Sequence, residues 1–168
     1  LASLITSIIH VRPGTMATVE ELWSAFVEAR PDLAGPETPY QAWHFCDNQA
    51  DADELVELVL AGRKTATAGA LWSYELEGEP VPRRGDFSVV TDWSGAARCV
   101  LRTAAVEVVP FDRVSAEFAA AEGEGDCSLD FWREAHWAAF SREFAGTERS
   151  PAPDMPVVCE RFEVVFPI

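Results

Sequence analysis

Lysine is almost missing from this chain. Among 168 residues there is one, Lys64, and every other strongly basic side chain is an arginine. Lys and Arg together number 13 against 28 Asp and Glu, a formal net charge of −15. That shortage excludes sequence-independent binding to long duplex nucleic acid, which needs clustered cations to neutralise phosphates. It leaves room for a local positive pocket that takes a short single strand or one nucleoside. The four cysteines, Cys46, Cys99, Cys127 and Cys159, form no CxxC pair, which argues against a zinc ribbon or a thioredoxin-like centre. A reducing cytoplasm suits them, with Cys99 and Cys159 in apolar, strand-like runs as small core residues. Long hydrophobic runs are also missing: Leu1–Ile9 is far short of the roughly 20 residues that span a bilayer, and no basic segment precedes it. Neither a membrane segment nor a signal peptide is expected. Met16 heads a plausible natural start, so residues 1–15 are expected to be an upstream-translated or added segment. Residues 16–168 then form a single domain with an N-terminal helix. Apolar residues make up 48%, with six Trp and ten Phe, enough for a real core.

Taken in order, Thr18 and Glu21 form a capping box ahead of Leu22, Trp23, Phe26 and Val27 at helical spacing. A Pro- and Gly-bearing loop over 31–39 leads into the aromatic run Tyr40, Trp43, His44 and Phe45. A second helix follows, with Asp51 or Asp53 as its cap, Leu55, Leu58 and Val59 on its apolar face, and Gly62 as its stop. The next element runs from Thr65 to Trp72, and a loop is expected over 75–84. Phe87–Thr91 reads as a strand, and Arg98–Val109 as a second at hairpin distance beyond the turn Asp92-Trp93-Ser94-Gly95. A short helix is expected over 111–121, then the acidic stretch Glu122-Gly123-Glu124-Gly125-Asp126. Ser128 caps a longer helix through Phe144, on which Leu129, Trp132, His136 and Phe140 share a face. In the last run Val158, Glu160, Phe162, Val164 and Phe166 alternate onto one side, which puts a carboxylate on an apolar face. Helices early and late, with strands between them and at the end, make the fold class α+β, with a small mixed or antiparallel barrel rather than a βαβ sheet.

The lone lysine sits in Gly62-Arg63-Lys64-Thr65-Ala66-Thr67. A guanidinium stays protonated at any working pH, whereas a desolvated ammonium can fall in pKa and act as a base beside a hydroxyl. Threonine becomes a nucleophile only when such a base takes its proton, and a nearby carboxylate can carry that proton onward. A lysine at a helix end also suits the helix dipole, and threonines also suit strands, so the residues admit a purely structural role as well. His136, on an apolar helix face, fits either a hydrogen-bonded core position or a site wall. Glu160 needs a partner, with Lys64 or an arginine as candidates.

Gly-Arg-Lys-Thr-Ala-Thr after a helix, Gly85-Asp86 before a strand, Pro110-Phe111 after a strand, then Glu-Gly-Glu-Gly-Asp-x-Ser-Leu and a Trp-bearing helix together resemble the ASCH domain family. The resemblance runs from about Tyr40 to Ile168. It implies a PUA-like fold, a small β-barrel flanked by helices, and an association with RNA or nucleobases. Some members are N4-acetylcytidine amidohydrolases, and a larger one is a single-strand-specific ribonuclease. By motif, the catalytic set of the amidohydrolase branch falls on Lys64, Thr67 and Glu122, with Glu124 two residues away as the alternative register. Cys46 stands where such relatives are expected to carry glycine.

The resemblance and the residues together give substrate-binding candidates: Tyr40, Trp43, Phe45, Arg63, Thr65, Glu124 and His136. Aromatic side chains among them can stack on a base, worth about 1–3 kcal/mol each. The expected partner is a modified nucleoside or a short single-stranded RNA, with no cofactor and no metal. Three functions stay open: hydrolysis of an N4-acylcytidine-type nucleoside, cleavage of single-stranded RNA, and non-catalytic RNA or ligand binding.

Overall fold

The computed structural model of the chain describes residues 17–167. The segment 1–15 and Met16 lie outside the described residues. In chain order the elements are α1 (Val19–Ala29), β1 (Tyr40–Trp43), α2 (Gln49–Leu60), β2 (Ala66–Ala70), α3 (Leu71–Glu77), β3 (Phe87–Thr91), β4 (Ala97–Pro110), a 3-10 turn (Phe111–Arg113), α4 (Ala116–Glu122), α5 (Leu129–Glu143) and β5 (Pro156–Pro167). The strands form one mixed sheet in the order β1-β3-β4-β5-β2, with β1 parallel to β3 and β2 antiparallel to β5. The expected barrel is not closed. Closure needs continuous pairing across a tilted seam, and the two edge strands, four and five residues long, leave none.

The described residues cluster into two compact units, one within 17–56, 87–101 and 165–167, the other of residues 57–86 and 102–164. In the first, the capping box forms as expected: the Thr18 hydroxyl accepts from the Glu21 amide at 3.2 Å, and Glu21 Oε2 accepts from the Thr18 amide at 2.9 Å. Leu22, Trp23 and Phe26 of α1 then pack with Phe87, Val89, Ala97 and Val100. Tyr40–Trp43 is a strand rather than a lead-in to helix, because parallel pairing with Phe87–Val90 supplies the backbone partners that local sequence cannot reveal. Asn48, not Asp51 or Asp53, caps α2: its Oδ1 accepts from the Asp51 amide at 3.1 Å. Asp53 instead accepts from the Trp93 amide at 3.0 Å. Cys46, at φ 56°, does adopt the left-handed backbone that a glycine would take there.

In the second unit Ala66 and Ala70 of β2 and Val157 and Cys159 of β5 pack on Phe118 and Ala119 of α4 and on Trp132 and Phe140 of α5. The expected helix over 111–121 is split. A 3-10 turn ends at Arg113, and Ser115 then caps α4, its hydroxyl accepting from the Phe118 amide at 3.1 Å. One consequence matters for the site: Glu122 is the last residue of a helix rather than part of a loop. Likewise β2 passes at once into α3, where a loop was expected from residue 75.

Gly123 ends α4 with φ +70°, and a Cβ there would lie 2.4 Å from the Arg63 carbonyl oxygen. Gly62 shares the backbone geometry, φ +69°, but has nothing within 4 Å. Gly62→Ala should therefore cost only the left-handed penalty of about 1–2 kcal/mol. Gly123→Ala should cost clearly more, because the turn before Lys64 must move. Urea unfolding of the two variants checks this, and equal losses would contradict the close approach.

Candidate functional site

The turn that carries Lys64 is held from both sides. At the end of α2 the Arg63 and Lys64 amides both donate to the Leu58 carbonyl, at 2.9 and 3.1 Å. The Thr65 amide donates to the Ala121 carbonyl at 2.8 Å, its hydroxyl donates to the same oxygen at 3.2 Å, and its own carbonyl accepts from the Phe162 amide at 3.0 Å. Thr65 thus clasps the turn to the end of α4 and the start of β2 to β5. Lys64, between these anchors, is delivered to Glu122.

The Lys64 ammonium is 1% exposed. Its Nζ lies 3.3 Å from Glu122 Oε2 and 2.5 Å from Glu124 Oε1. Glu122, equally buried, accepts at Oε1 from the Trp132 indole N–H at 3.1 Å, and its Oε2 also lies 3.5 Å from His136 Nε2. The His136 ring stacks on Trp132 at 4.2 Å, and its Nδ1 lies 3.0 Å from the Trp132 carbonyl. A carbonyl only accepts, so that contact places a proton on Nδ1, and Nε2 donates to Glu122 when the ring carries a second proton.

Burial pushes the Lys64 ammonium down, as the sequence suggested, but Glu122 and then Glu124 outweigh it and hold the group above the ordinary lysine value. The expected lowered lysine is corrected on this point: two carboxylates keep it charged. The carboxylates themselves diverge. Burial raises Glu122, but Lys64, then His136, then the Trp132 N–H bring it below its ordinary value. Glu124, raised by burial and by Glu122, stays high in spite of Lys64. One carboxylate of the pair is a fixed anion and the other is disposed to hold a proton, the usual outcome when like charges share a site. Glu124 is also the more accessible, with its side chain 23% exposed against 1% for Glu122.

The remaining candidates divide. His136 joins Lys64, Glu122 and Glu124, and Arg63 is an exposed neighbour in sequence. Thr67 stands on β2 opposite Glu160 in the β2–β5 register, and its hydroxyl has no hydrogen bond to Lys64 or Glu122. Tyr40, Trp43 and Phe45 belong to the first unit, where Tyr40 stacks on Trp23 at 4.2 Å and Phe45 meets Trp43 edge-on at 4.9 Å. Glu160 pairs with neither Lys64 nor an arginine; the Thr103 hydroxyl donates to its Oε1 at 2.6 Å. Two participants escaped sequence reasoning, Trp132 as a donor and Thr103. Trp132 was visible on the right face of its helix, but its indole N–H could not be aimed from periodicity. Among the described residues no group of three or more His, Cys, Asp or Glu is placed to hold a metal ion, and no helix is long and apolar enough to cross a membrane.

Removing one partner of a buried ion pair strands the other, which costs about 3–5 kcal/mol. Lys64→Met should therefore lower stability by that amount at neutral pH in urea unfolding; a loss below about 1 kcal/mol would contradict the role given to the pair. The sign with pH follows from the shifts. Glu122, depressed in the fold, contributes stability that is present above its unfolded pKa and is lost as pH falls through the lower folded value. Lys64, raised in the fold, contributes stability that is lost as pH rises through its folded value.

The ASCH domain family model matches residues 41–166. Two solved structures are similar over most of the chain. The ASCH domain from Lactobacillus crispatus JV V101 is 35% identical, with a TM-score of 0.76, covering 85% of this chain and 93% of its own. The protein EF3133 from Enterococcus faecalis V583 is also 35% identical, with a TM-score of 0.79, covering 89% and 88%. The hypothetical protein PH0355, at 15% identity and a TM-score of 0.51, covers 76% of this chain and 100% of its own and shares the fold alone. Among curated proteins none matches the chain significantly. The match over residues 41–166, with a sheet and helices like those of the two 35% identical structures, makes this chain a member of the ASCH domain family, a PUA-like RNA-binding fold.

Proposed function

We propose that this ASCH domain hydrolyses an N4-acylcytidine-type nucleoside, with Glu124 as the proton carrier and Lys64 as the fixed positive charge. The observation that carries the reading is the split between two carboxylates on one ammonium: Glu122 is anchored by Trp132 and Lys64, while Glu124 is raised and partly exposed. Titratable groups in one site whose environments push them apart are how acid and base roles are divided. The high negative charge of the chain favours a neutral nucleoside over a polyanion.

In this mechanism a water attacks the acyl carbon and gives its proton to the Glu124 carboxylate. The Lys64 ammonium steadies the negative charge that gathers on the carbonyl oxygen. Collapse of the tetrahedral intermediate breaks the C–N4 bond as Glu124 returns the proton to the departing amine, leaving a carboxylic acid and the unacylated base. Lys64 does not change protonation state, which accords with its raised pKa. Thr67 serves as a substrate contact, since its hydroxyl has no partner among the described residues, and His136 holds Glu122 in place. Arginines at 63, 83 and 84 are exposed and would meet a strand if the substrate were single-stranded RNA.

Glu124→Gln keeps the shape and removes the proton carrier. Hydrolysis of N4-acetylcytidine should fall by about 10²- to 10⁴-fold, the usual contribution of a positioned acid–base group. Wild-type activity should rise with pH through the raised Glu124 value, because the attacking step needs its ionised form. Activity retained in the variant would overturn the assignment. Wild-type turnover of single-stranded RNA instead would make the protein a ribonuclease, and turnover of neither with retained binding would make it a binding module.

A further inference from the structure

Glu160 is a buried carboxylate, 8% exposed, with no cation beside it among the described residues. Such a group is costly unless something satisfies it. Only Oε1 is satisfied, by the Thr103 hydroxyl at 2.6 Å. Oε2 has no partner among the described residues, yet it is not among the unpartnered atoms sealed from solvent. One acceptor is therefore left open on an otherwise enclosed group.

The surroundings are built around that opening. Ala66, Ala70 and Cys159 face the α4–α5 core, with Ala68 packed against it, so alternation turns Thr67, Gly69 and Glu160 to the opposite face of the sheet. Thr67 and Glu160 are direct cross-strand partners, which sets their Cβ atoms roughly 4.5–5.5 Å apart. Tyr74 closes one side: its hydroxyl lies 3.5 Å from where a Cβ on Gly69 would stand. Burial, then Glu160, push the Tyr74 phenol up to about 12, so it remains a hydrogen-bond donor. Burial likewise raises Glu160, the more so beside Asp86.

We propose that Glu160 and Thr67 form a base-reading pair, in which Glu160 Oε2 accepts the exocyclic N–H of an aminopyrimidine and the Thr67 hydroxyl donates to its ring nitrogen. A carboxylate and a hydroxyl side by side match that adjacent donor and acceptor, and an N4-acylated cytosine still keeps one N–H for Glu160. The inference rests on reading Thr67 as a substrate contact and makes Glu160 the specificity residue beside it. A site built to bond an N–H rejects a ligand that lacks it, because its own acceptor is then left unpaired.

Binding of cytidine, followed by amide NMR shifts and calorimetry, tests this. Wild type should bind cytidine with shifts at Thr67, Thr103 and Glu160, and N4,N4-dimethylcytidine should bind about tenfold or more weakly. Glu160→Gln keeps an oxygen for Thr103 but offers an amide in place of the open carboxylate, and should weaken cytidine by a similar factor. Thr67→Val, at a half-buried position, should do the same and stands in if Glu160→Gln does not fold. Wild-type affinity in either folded variant, or no cytidine binding by wild type, overturns the proposal. The two readings fail separately. Hydrolysis of N4-acetylcytidine with an unchanged KM in Glu160→Gln removes this inference and spares the Glu124 mechanism. Cytidine binding that depends on Glu160, in a protein that hydrolyses nothing, does the reverse.

Discussion

The second unit depends on one ammonium set between two carboxylates. Desolvating Lys64 and Glu122, each 1% exposed, is unfavourable unless each meets an opposite charge and its other polar atoms are occupied. The structure meets both conditions with few residues. Glu122 divides its oxygens between the Trp132 indole and the Lys64–His136 side, and Glu124 adds a second anion to the lysine. The elements that meet there are set by this need: the end of α2, the entry to β2, the end of α4 and one face of α5. Gly123 has no alternative in such an arrangement, since any Cβ there would run into the Arg63 carbonyl.

The same crowding gives the site its chemical character. Three charges of alternating sign within hydrogen-bond reach cannot all keep ordinary pKa values, and the group that yields is Glu124, raised by burial and by the Glu122 anion beside it. Glu124 sits between Gly123 and Gly125, both with positive φ, on a turn rather than in a helix. Partners sort an anchor from a proton carrier, although the two residues are chemically identical: Lys64, His136 and the Trp132 N–H hold Glu122 as the anion against its deeper burial. Glu160 is a further buried carboxylate in the same unit, with no cation beside it among the described residues and with a hydroxyl on either side of it in the sheet.

Much of this was legible in the sequence, for reasons that particular residues make plain. The solitary lysine and the capping signals at Thr18 and Ser128 are local features, and local features survive folding: both caps form as read. The alternation of the last strand correctly flagged Glu160 as a carboxylate on a buried face. What was not legible depended on long-range pairing. Tyr40–Trp43 is a strand only because Phe87–Val90 lies beside it, and the open sheet follows from the brevity of its edge strands. The direction of the Lys64 shift was misread for a related reason. Burial can be guessed from composition, but a 58-residue separation hides the glutamate that reverses its effect.

The account's central claim is that Lys64 rests as an ammonium held by Glu122 and Glu124. Because the chain contains one lysine, protein labelled with ¹³C and ¹⁵N lysine gives a single Cε–Nζ signal, and its pH titration by NMR reports this group alone. The account predicts ammonium shifts that stay constant across neutral pH and titrate only above the range of an ordinary lysine. A titration near or below neutral would contradict it and would restore the lysine as a base.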